Sequence, residues 1–142
     1  MERKRTLMMV LARTRRAWVN HMKEIALSIG IPESYRPVIS YLNREPGANQ
    51  RNVAEFCDVT TSAINQTIKS MMEEGYVRKE TDGNDRRHTK LFLTDKGKET
   101  ALKLREKLQQ SDQVITDLIT PEKEAEMIAL LEQIQDCIRE EL

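Results

Sequence analysis

Residues 49–77, NQRNVAEFCDVTTSAINQTIKSMMEEGYV, decide the fold of this chain. Two short sets of apolar residues recur there at helical spacing, and a tight polar turn at residues 58–61 separates them. Asn49 is a good N-cap for a first helix, Gln50–Cys57. The residues expected to point inward from that helix are Val53, Ala54 and either Phe56 or Cys57.

The second helix of this stretch is predicted from about residue 62 to residue 74, with Gly75 at its C-terminal cap. Its inward stripe is Ile64, Thr67, Ile68 and Met71. Beyond the helix, residues 76–80 and 89–93 alternate between polar and apolar in the manner of strands. A polar, turn-rich link at residues 81–88 joins them, which predicts a hairpin.

Two short helices joined by a tight turn and followed by a hairpin predict a winged helix-turn-helix, whose second helix enters the DNA major groove. The outward residues of that helix are Ser62, Ala63, Asn65, Gln66, Lys69 and Ser70. Asn and Gln amides match an adenine edge, and the helix start at Thr61 and Ser62 favours phosphate oxygens. No acidic residue occurs between Val59 and Met72, as a surface that faces phosphates requires. An ordinary polar surface helix is the alternative interpretation.

The tip of the hairpin contains the sequence Asp85-Arg86-Arg87. An arginine held at a loop tip can enter a narrow minor groove, where the negative potential is deepest. The Asp85 carboxylate can hold the shape of the loop by pairing with a strand cation such as Lys79. A solvated charged turn is the common alternative.

Helical patterns flank this central unit on both sides. Residues 5–29 form one long amphipathic pattern, and residues 33–45 form a shorter one. Thr94 is a suitable N-cap for a helix to about residue 119, and Thr120 is a suitable cap for the last helix. The first of these two helices has an apolar heptad at Ala101, Leu104, Leu108, Ile115 and Leu118. The predicted fold class is therefore mainly α, with a winged helix-turn-helix core between long terminal helices.

The central residues resemble those of the MarR (multiple antibiotic resistance) family of transcriptional regulators. The wing pattern of that family is Asp-x-Arg, five further residues, Leu-Thr, and often Gly three residues later. Here the pattern is Asp85-Arg86-Arg87, then Leu93-Thr94 and Gly97. The resemblance implies a homodimer that binds a pseudo-palindromic operator, often as a repressor released by a small ligand.

The resemblance also implies roles for individual residues. Arg87 falls on the minor-groove arginine, while Asp85 and Lys79 fall on the pair that braces the wing. Together with the residue chemistry, it gives a predicted DNA-binding set of Thr61, Ser62, Ala63, Asn65, Gln66, Lys69, Ser70, Arg86 and Arg87. The chain departs from the family at Ser70, where many relatives have Arg, and at Cys57-Asp58, where Leu-Gly is usual.

An effector pocket between the first, second and fifth helices is a further implication of the resemblance, with a small aromatic or amphipathic ligand. The residues that fall near it in the pattern are Trp18, His21, Met22, Tyr35 and Arg36. Core packing explains Trp18 and Met22 equally well.

The charge pattern divides the chain into three parts, although the formal net charge is zero. Residues 1–30 contain seven basic and two acidic residues, residues 31–94 contain nine of each, and residues 95–142 contain seven basic and twelve acidic residues. We expect an N-terminal dimerisation helix, a winged helix-turn-helix DNA-binding region and C-terminal dimerisation helices at the same boundaries. The family packs its outer helices across a two-fold axis, whereas packing within one chain is the alternative.

Composition and motifs exclude several other classes of protein. Aromatic residues are 4% of the 142 residues, too few for a base-stacking platform, and the apolar stretches are too short for a membrane span. Two cysteines and two histidines on separated elements predict no metal or other cofactor, and Cys57 is expected to be an inert buried thiol rather than a redox sensor. No catalytic motif is present, so we expect a cytoplasmic protein that is not an enzyme. The alternative to a DNA-binding regulator is a winged-helix module that binds a protein partner without reading DNA.

Overall fold

The computed structural model describes residues 5–82 and 85–142, and for residues 82 and 85–88 it describes the backbone alone. Within those ranges the chain contains six helices and one hairpin, in the order that the sequence predicts. In chain order the elements are α1 (Leu7–Ser28), α2 (Tyr35–Arg44), α3 (Gln50–Cys57), α4 (Thr61–Glu73), β1 (Val77–Asp82), β2 (Asp85–Leu93), α5 (Asp95–Thr116) and α6 (Pro121–Glu141). The chain divides into two compact units, Met1–Glu106 and Lys107–Leu142.

Side-chain caps fix the starts of several helices. The Asn49 carboxamide oxygen accepts a hydrogen bond from the backbone N–H of Asn52 at 2.8 Å, which confirms the predicted start of α3. The Thr120 hydroxyl accepts from the Lys123 N–H at 3.3 Å at the start of α6. α4 begins one residue earlier than predicted because Thr60 is its cap. Each cap satisfies one of the free N–H groups that a helix start leaves without a partner.

The core of the first unit is formed by the apolar faces of α1 to α4, the hairpin and the first turns of α5. Of the predicted inward stripe of α4, Ile64, Ile68 and Met71 are at most 1% exposed, whereas Thr67 is only half-buried. On α3 the two open choices are resolved in favour of Cys57, which is half-buried. Phe56 is 44% exposed instead, and its ring stacks on that of Tyr41 with centroids 4.7 Å apart.

The two strands pair antiparallel, with Val77 opposite Leu93 and Lys79 opposite Leu91. The predicted link at residues 81–88 is wrong in extent, because β1 continues to Asp82 and β2 already begins at Asp85. Apolar alternation ends where the hairpin leaves the core, although the backbone ladder continues between polar residues such as the opposed Thr81 and Thr89. Periodicity therefore underestimates a strand that continues beyond its last buried apolar residue.

A second set of backbone bonds ties the hairpin to the helices. The Gly47 N–H donates to the Leu91 carbonyl at 2.8 Å, and the Leu91 N–H donates to the Ala48 carbonyl at 2.9 Å. Leu91 itself is fully buried. The loop between α2 and α3 thus fixes the base of the wing against the helix-turn-helix.

The second unit exposes much of its apolar surface. No residue of α6 is buried, and Met127, Ile128 and Leu130 are each at least half exposed. The predicted heptad shows the same change along its length: Ala101 and Leu104 are buried in the first unit, whereas Ile115 and Leu118 are 45% and 80% exposed. Leu118 lies beyond α5, because the helix ends at Thr116 and not at about residue 119 as predicted. Exposed apolar side chains at this density mark a surface that another element or molecule covers.

Candidate nucleic-acid interface

A three-residue turn connects α3 to α4. Asp58 caps α3 in the left-handed conformation, with φ 54° and ψ 48°, which Asp adopts more readily than most residues with a side chain. The Val59 N–H then donates to the Ala54 carbonyl at 3.2 Å, and Thr60 starts α4. The backbone therefore makes the sharp turn of a helix-turn-helix with Asp where the family usually has Gly.

The outer face of α4 is open to solvent along most of its length. The residues predicted to face a DNA groove that are exposed here are Thr61, Ser62, Ala63, Asn65, Gln66 and Lys69. Ser70 differs, because it is half-buried and its hydroxyl faces Tyr35. No acidic side chain interrupts this face between residues 60 and 72.

The C-terminal end of α4 is held from three directions. Gly75, with φ 84°, turns the chain out of the helix. The Lys96 ammonium group donates to the Glu74 carbonyl at 2.8 Å and lies 4.3 Å from the centroid of the Tyr76 ring. The Thr94 hydroxyl donates to the Gly75 carbonyl and caps α5 by accepting from Gly97. These contacts fix the end of α4 to the first strand of the wing and to the first turn of α5.

Tyr35 adds a contact from α2 to the same region. Its ring meets that of Tyr76 edge-on, with centroids 5.7 Å apart. Burial raises the pKa of Tyr35, and the Glu74 carboxylate adds to the rise. Tyr35 is thus a packing residue between α2 and the end of α4.

The two faces of the hairpin differ sharply. Alternate residues of β1 and β2 point to opposite faces, and the face with Val77, Leu91 and Leu93 is buried against the helices. On the outer face Arg78 forms an ion pair with Glu80, and its guanidinium lies 4.6 Å from the centroid of the Phe92 ring. The wing therefore has an apolar base that packs on the helices and a charged outer face.

The structure describes only part of the predicted wing brace and wing tip. The side chains of Asp85, Arg86 and Arg87 lie outside the described residues, so their DNA-binding and bracing roles stay predictions. The backbone places Asp85 opposite Asp82, after an irregularity in the register, whereas Lys79 is opposite Leu91.

A groove of about 440 Å³ lies between α4, the first residue of α3 and β1. The residues that line it are Gln50, Asn65, Lys69, Met72, Glu73 and Lys79. Gln50, Met72 and Glu73 were not among the predicted site residues. On α4, however, positions 65, 69, 72 and 73 follow the helical spacing of a single stripe, which is a signal that the sequence already contained.

The residues predicted to line an effector pocket have different surroundings. The rings of Trp18 and His21 lie 5.9 Å apart, and Trp18 is 38% exposed. Met22 and Tyr35 are buried core residues. Arg36 pairs with Glu33 at 3.7 Å, and its Nε atom is buried without a hydrogen-bond partner among the described residues. The pocket itself stays a prediction.

The charge of Arg36 acts on the thiol of Cys57. Burial raises the pKa of the Cys57 thiol, and the Arg36 guanidinium opposes that rise. A raised pKa keeps the thiol protonated and less reactive near neutral pH. This agrees with the interpretation of Cys57 as a structural residue.

Two other classes of site find no support within the described ranges. No cluster of three or more His, Cys, Asp or Glu side chains there is arranged to bind a metal ion. Likewise, none of the helices in the described residues combines the length and apolar character of a membrane span.

Comparison with known proteins assigns the central unit. Residues 29–88 match the sequence model of the MarR family. The uncharacterized HTH-type transcriptional regulator YybA of Bacillus subtilis (strain 168) is 30% identical over 93 residues, which span 66% of this chain and 62% of that relative.

Solved structures share the fold over nearly the whole chain. The transcriptional repressor CouR, bound to a 23-mer DNA duplex, has a TM-score of 0.79 and 19% identity, with 92% of each chain covered. The PcaV transcriptional regulator from Streptomyces coelicolor, in complex with its natural ligand, has a TM-score of 0.72 and 21% identity, with 93% of each chain covered. Residues 29–88 therefore match the MarR family, and the winged helix-turn-helix built around them has the fold of these solved transcriptional regulators.

Proposed function

We propose that this chain binds double-stranded DNA and regulates transcription, with α4 in the major groove and the wing at the adjacent minor groove. The observation that carries this proposal is the outer face of α4, which is polar, exposed and free of acidic residues from residue 61 to residue 69. Ile64, Ile68 and Met71 on its inner side are buried, so the helix is anchored in the core. A helix of this kind beside a wing is the arrangement that inserts into the major groove.

Individual contacts follow from side-chain chemistry. Asn65 and Gln66 have amides that can form paired hydrogen bonds with an adenine edge. Thr61 and Ser62 at the exposed start of α4 are suited to phosphate oxygens, because free N–H groups and hydroxyls meet there. Arg87 is the candidate for minor-groove contact. The half-buried Ser70 contributes less than a fully exposed residue would.

A homodimer is the proposed functional form. Four consecutive apolar residues at the start of α1, Leu7–Val10, are each 39–61% exposed, and α6 has no buried residue at all. Such surfaces are larger than a single soluble chain normally leaves open. A two-fold pair would place two α4 helices about 34 Å apart, which requires a pseudo-palindromic operator.

Repression relieved by a small molecule is the proposed mode of regulation. PcaV, which shares the fold, was solved with a natural ligand. In this chain the paired rings of Trp18 and His21 offer an aromatic surface for a small aromatic or amphipathic effector. An effector that binds the form unable to reach DNA would release the operator.

The decisive experiment is selection of bound sequences from random duplexes, followed by titration of the selected duplex. Changing Gln66→Ala and Arg87→Ala together should weaken binding by about 1–3 kcal/mol for each of the two base-reading side chains removed. Gln109→Ala is the matched control, because Gln109 is an exposed glutamine on α5. Unchanged duplex affinity in the double variant would favour the protein-interaction module instead.

A further inference from the structure

The groove between α4 and β1 receives Lys79 for a reason of strand geometry. Val77 and Lys79 are two residues apart on β1, so both side chains project from the same face of the hairpin. Val77 is buried against the helices, and Lys79 is the next residue outward on that face. Lys79, although exposed, therefore lies on the face of the hairpin that lines the groove beside α4.

The groove is rich in groups that bind phosphate. Its lining includes two lysines, Lys69 and Lys79, together with two amide residues, Gln50 and Asn65. Neither lysine forms an ion pair with a carboxylate in the part of the chain that the structure describes. Glu73 is the one acidic side chain of the lining. The positive charges thus remain available to an external anion.

We infer that this groove holds the sugar–phosphate backbone of one DNA strand as it passes from the major groove at α4 to the wing, with Lys79 and Gln50 as phosphate contacts. The inference rests on the proposed DNA-binding function. Asn65 and Lys69 line the groove and also belong to the exposed face of α4. A strand whose bases meet α4 therefore has its phosphates beside β1.

This assignment gives Lys79 a different role from that of a wing brace. Asp85 is opposite Asp82 in the hairpin, three residues beyond Lys79, which corresponds to about 10 Å along the strand. Lys79 instead shares the groove with residues of α4 and with the first residue of α3. Among the described residues, its neighbours in the groove thus belong to the helices that are proposed to contact DNA.

Salt dependence separates the two roles. The full-length protein is titrated with the selected duplex and with an unrelated duplex at about 50–200 mM salt, by fluorescence anisotropy. Lys79→Gln should weaken both affinities by the same factor and reduce the slope of log affinity against log salt by about 0.9 for each phosphate that is no longer neutralised. Lys79→Arg should retain the slope of the unmodified protein.

Two matched variants complete the test. Lys90→Gln removes a lysine from the outer face of the same hairpin, where it lies opposite Glu80, and should leave the slope unchanged. Asp85→Asn reports on the brace, because it removes the carboxylate that would pair with Lys79 in that role. An unaltered slope for Lys79→Gln would overturn the inference. So would equal losses of affinity for Lys79→Gln and Asp85→Asn that do not add in the double variant, because that result favours a brace.

Gln50→Glu tests the groove without relying on Lys79. Glutamate in the first turn of a helix is favoured by the helix dipole, so α3 should remain stable. Added negative charge in the groove should nevertheless weaken binding to both duplexes, while the thermal unfolding temperature stays the same. If the unmodified protein binds no duplex, the proposed function itself fails; if it binds duplex and neither Gln50→Glu nor Lys79→Gln weakens it, only the groove assignment fails.

Discussion

Two amphipathic helices of this protein, α4 and α6, differ in how they use their apolar residues. α4 has 13 residues and buries Ile64, Ile68 and Met71 within the first unit. α6 has 21 residues and buries none, and its Ile128 and Leu130 are 50% and 59% exposed. The apolar face of the helix proposed to read DNA is therefore buried within its own chain. The last helix leaves its apolar residues exposed, as the proposed dimer requires.

The largest expected effect comes from a substitution in the buried core beneath α4. Ile68→Ala should lower the free energy of unfolding by about 3–4 kcal/mol, because Ile68 is fully buried and its truncation leaves a cavity. Urea unfolding followed by circular dichroism measures the loss of stability. A loss below about 1 kcal/mol would show that the core under α4 can collapse around the gap.

Ile128→Ala is the counterpart on α6. An exposed isoleucine that stays in water contributes less than about 0.5 kcal/mol. In the proposed dimer, however, the substitution should raise the dissociation constant and lower the unfolding temperature at a fixed protein concentration, since subunit association adds to stability. Sedimentation at micromolar concentration that finds only 16.5 kDa particles of the unmodified protein would contradict the dimer.

A second test concerns the close packing at the junction between the wing and α5. A Cβ atom at Gly97 would lie 2.2 Å from the Tyr76 carbonyl oxygen, so the backbone must shift. Gly97→Ala should therefore destabilise the protein by about 3 kcal/mol. Gly30→Ala is the control, with φ 76° and no atom within 4 Å of the added Cβ, and should destabilise it by about 1 kcal/mol. Equal destabilisation in thermal unfolding would contradict the steric argument.

The helix caps give a smaller effect. Thr60→Ala removes the hydroxyl that accepts from the Ala63 N–H at 3.2 Å and should destabilise the protein by about 1 kcal/mol. Thr60→Ser keeps the acceptor and should restore most of that stability. Thr120→Ala removes the equivalent cap of α6, where hydrogen exchange should report local fraying of the first turn rather than a loss of global stability.

The two cysteines give the smallest effect on stability and a clear effect on reactivity. Cys57 is half-buried with a raised pKa, whereas Cys137 is exposed. Cys57 should react with iodoacetamide more slowly, with a midpoint in its pH–rate profile above that of an ordinary thiol. Because its pKa is raised in the folded state, the protonated Cys57 thiol contributes its full stabilisation below the ordinary thiol pKa. That stabilisation declines as the pH rises through the pKa of the thiol in the folded protein. A faster reaction at Cys57 would support a redox role.

Local signals in the sequence determined most elements of this fold. The apolar spacing of residues 62–74, the cap at Asn49 and the stop at Gly75 each predict a feature that the structure contains. These signals suffice because capping and amphipathic burial depend on residues within a turn or two of each other. The wing motif around residues 85–97, which is also a local signal, indicated the resemblance to the MarR family.

Only the tertiary structure decided which polar residues share a surface. Nothing local distinguishes Phe56 from Cys57 as the inward residue, since that choice depends on how α2 packs beside α3. Lys79 and Gln50 are 29 positions apart in sequence, and only the packing of α3 and β1 beside α4 brings them into one groove. Side-chain periodicity fixes the face of each element, but the meeting of two faces is set by long-range packing, which no window of sequence contains.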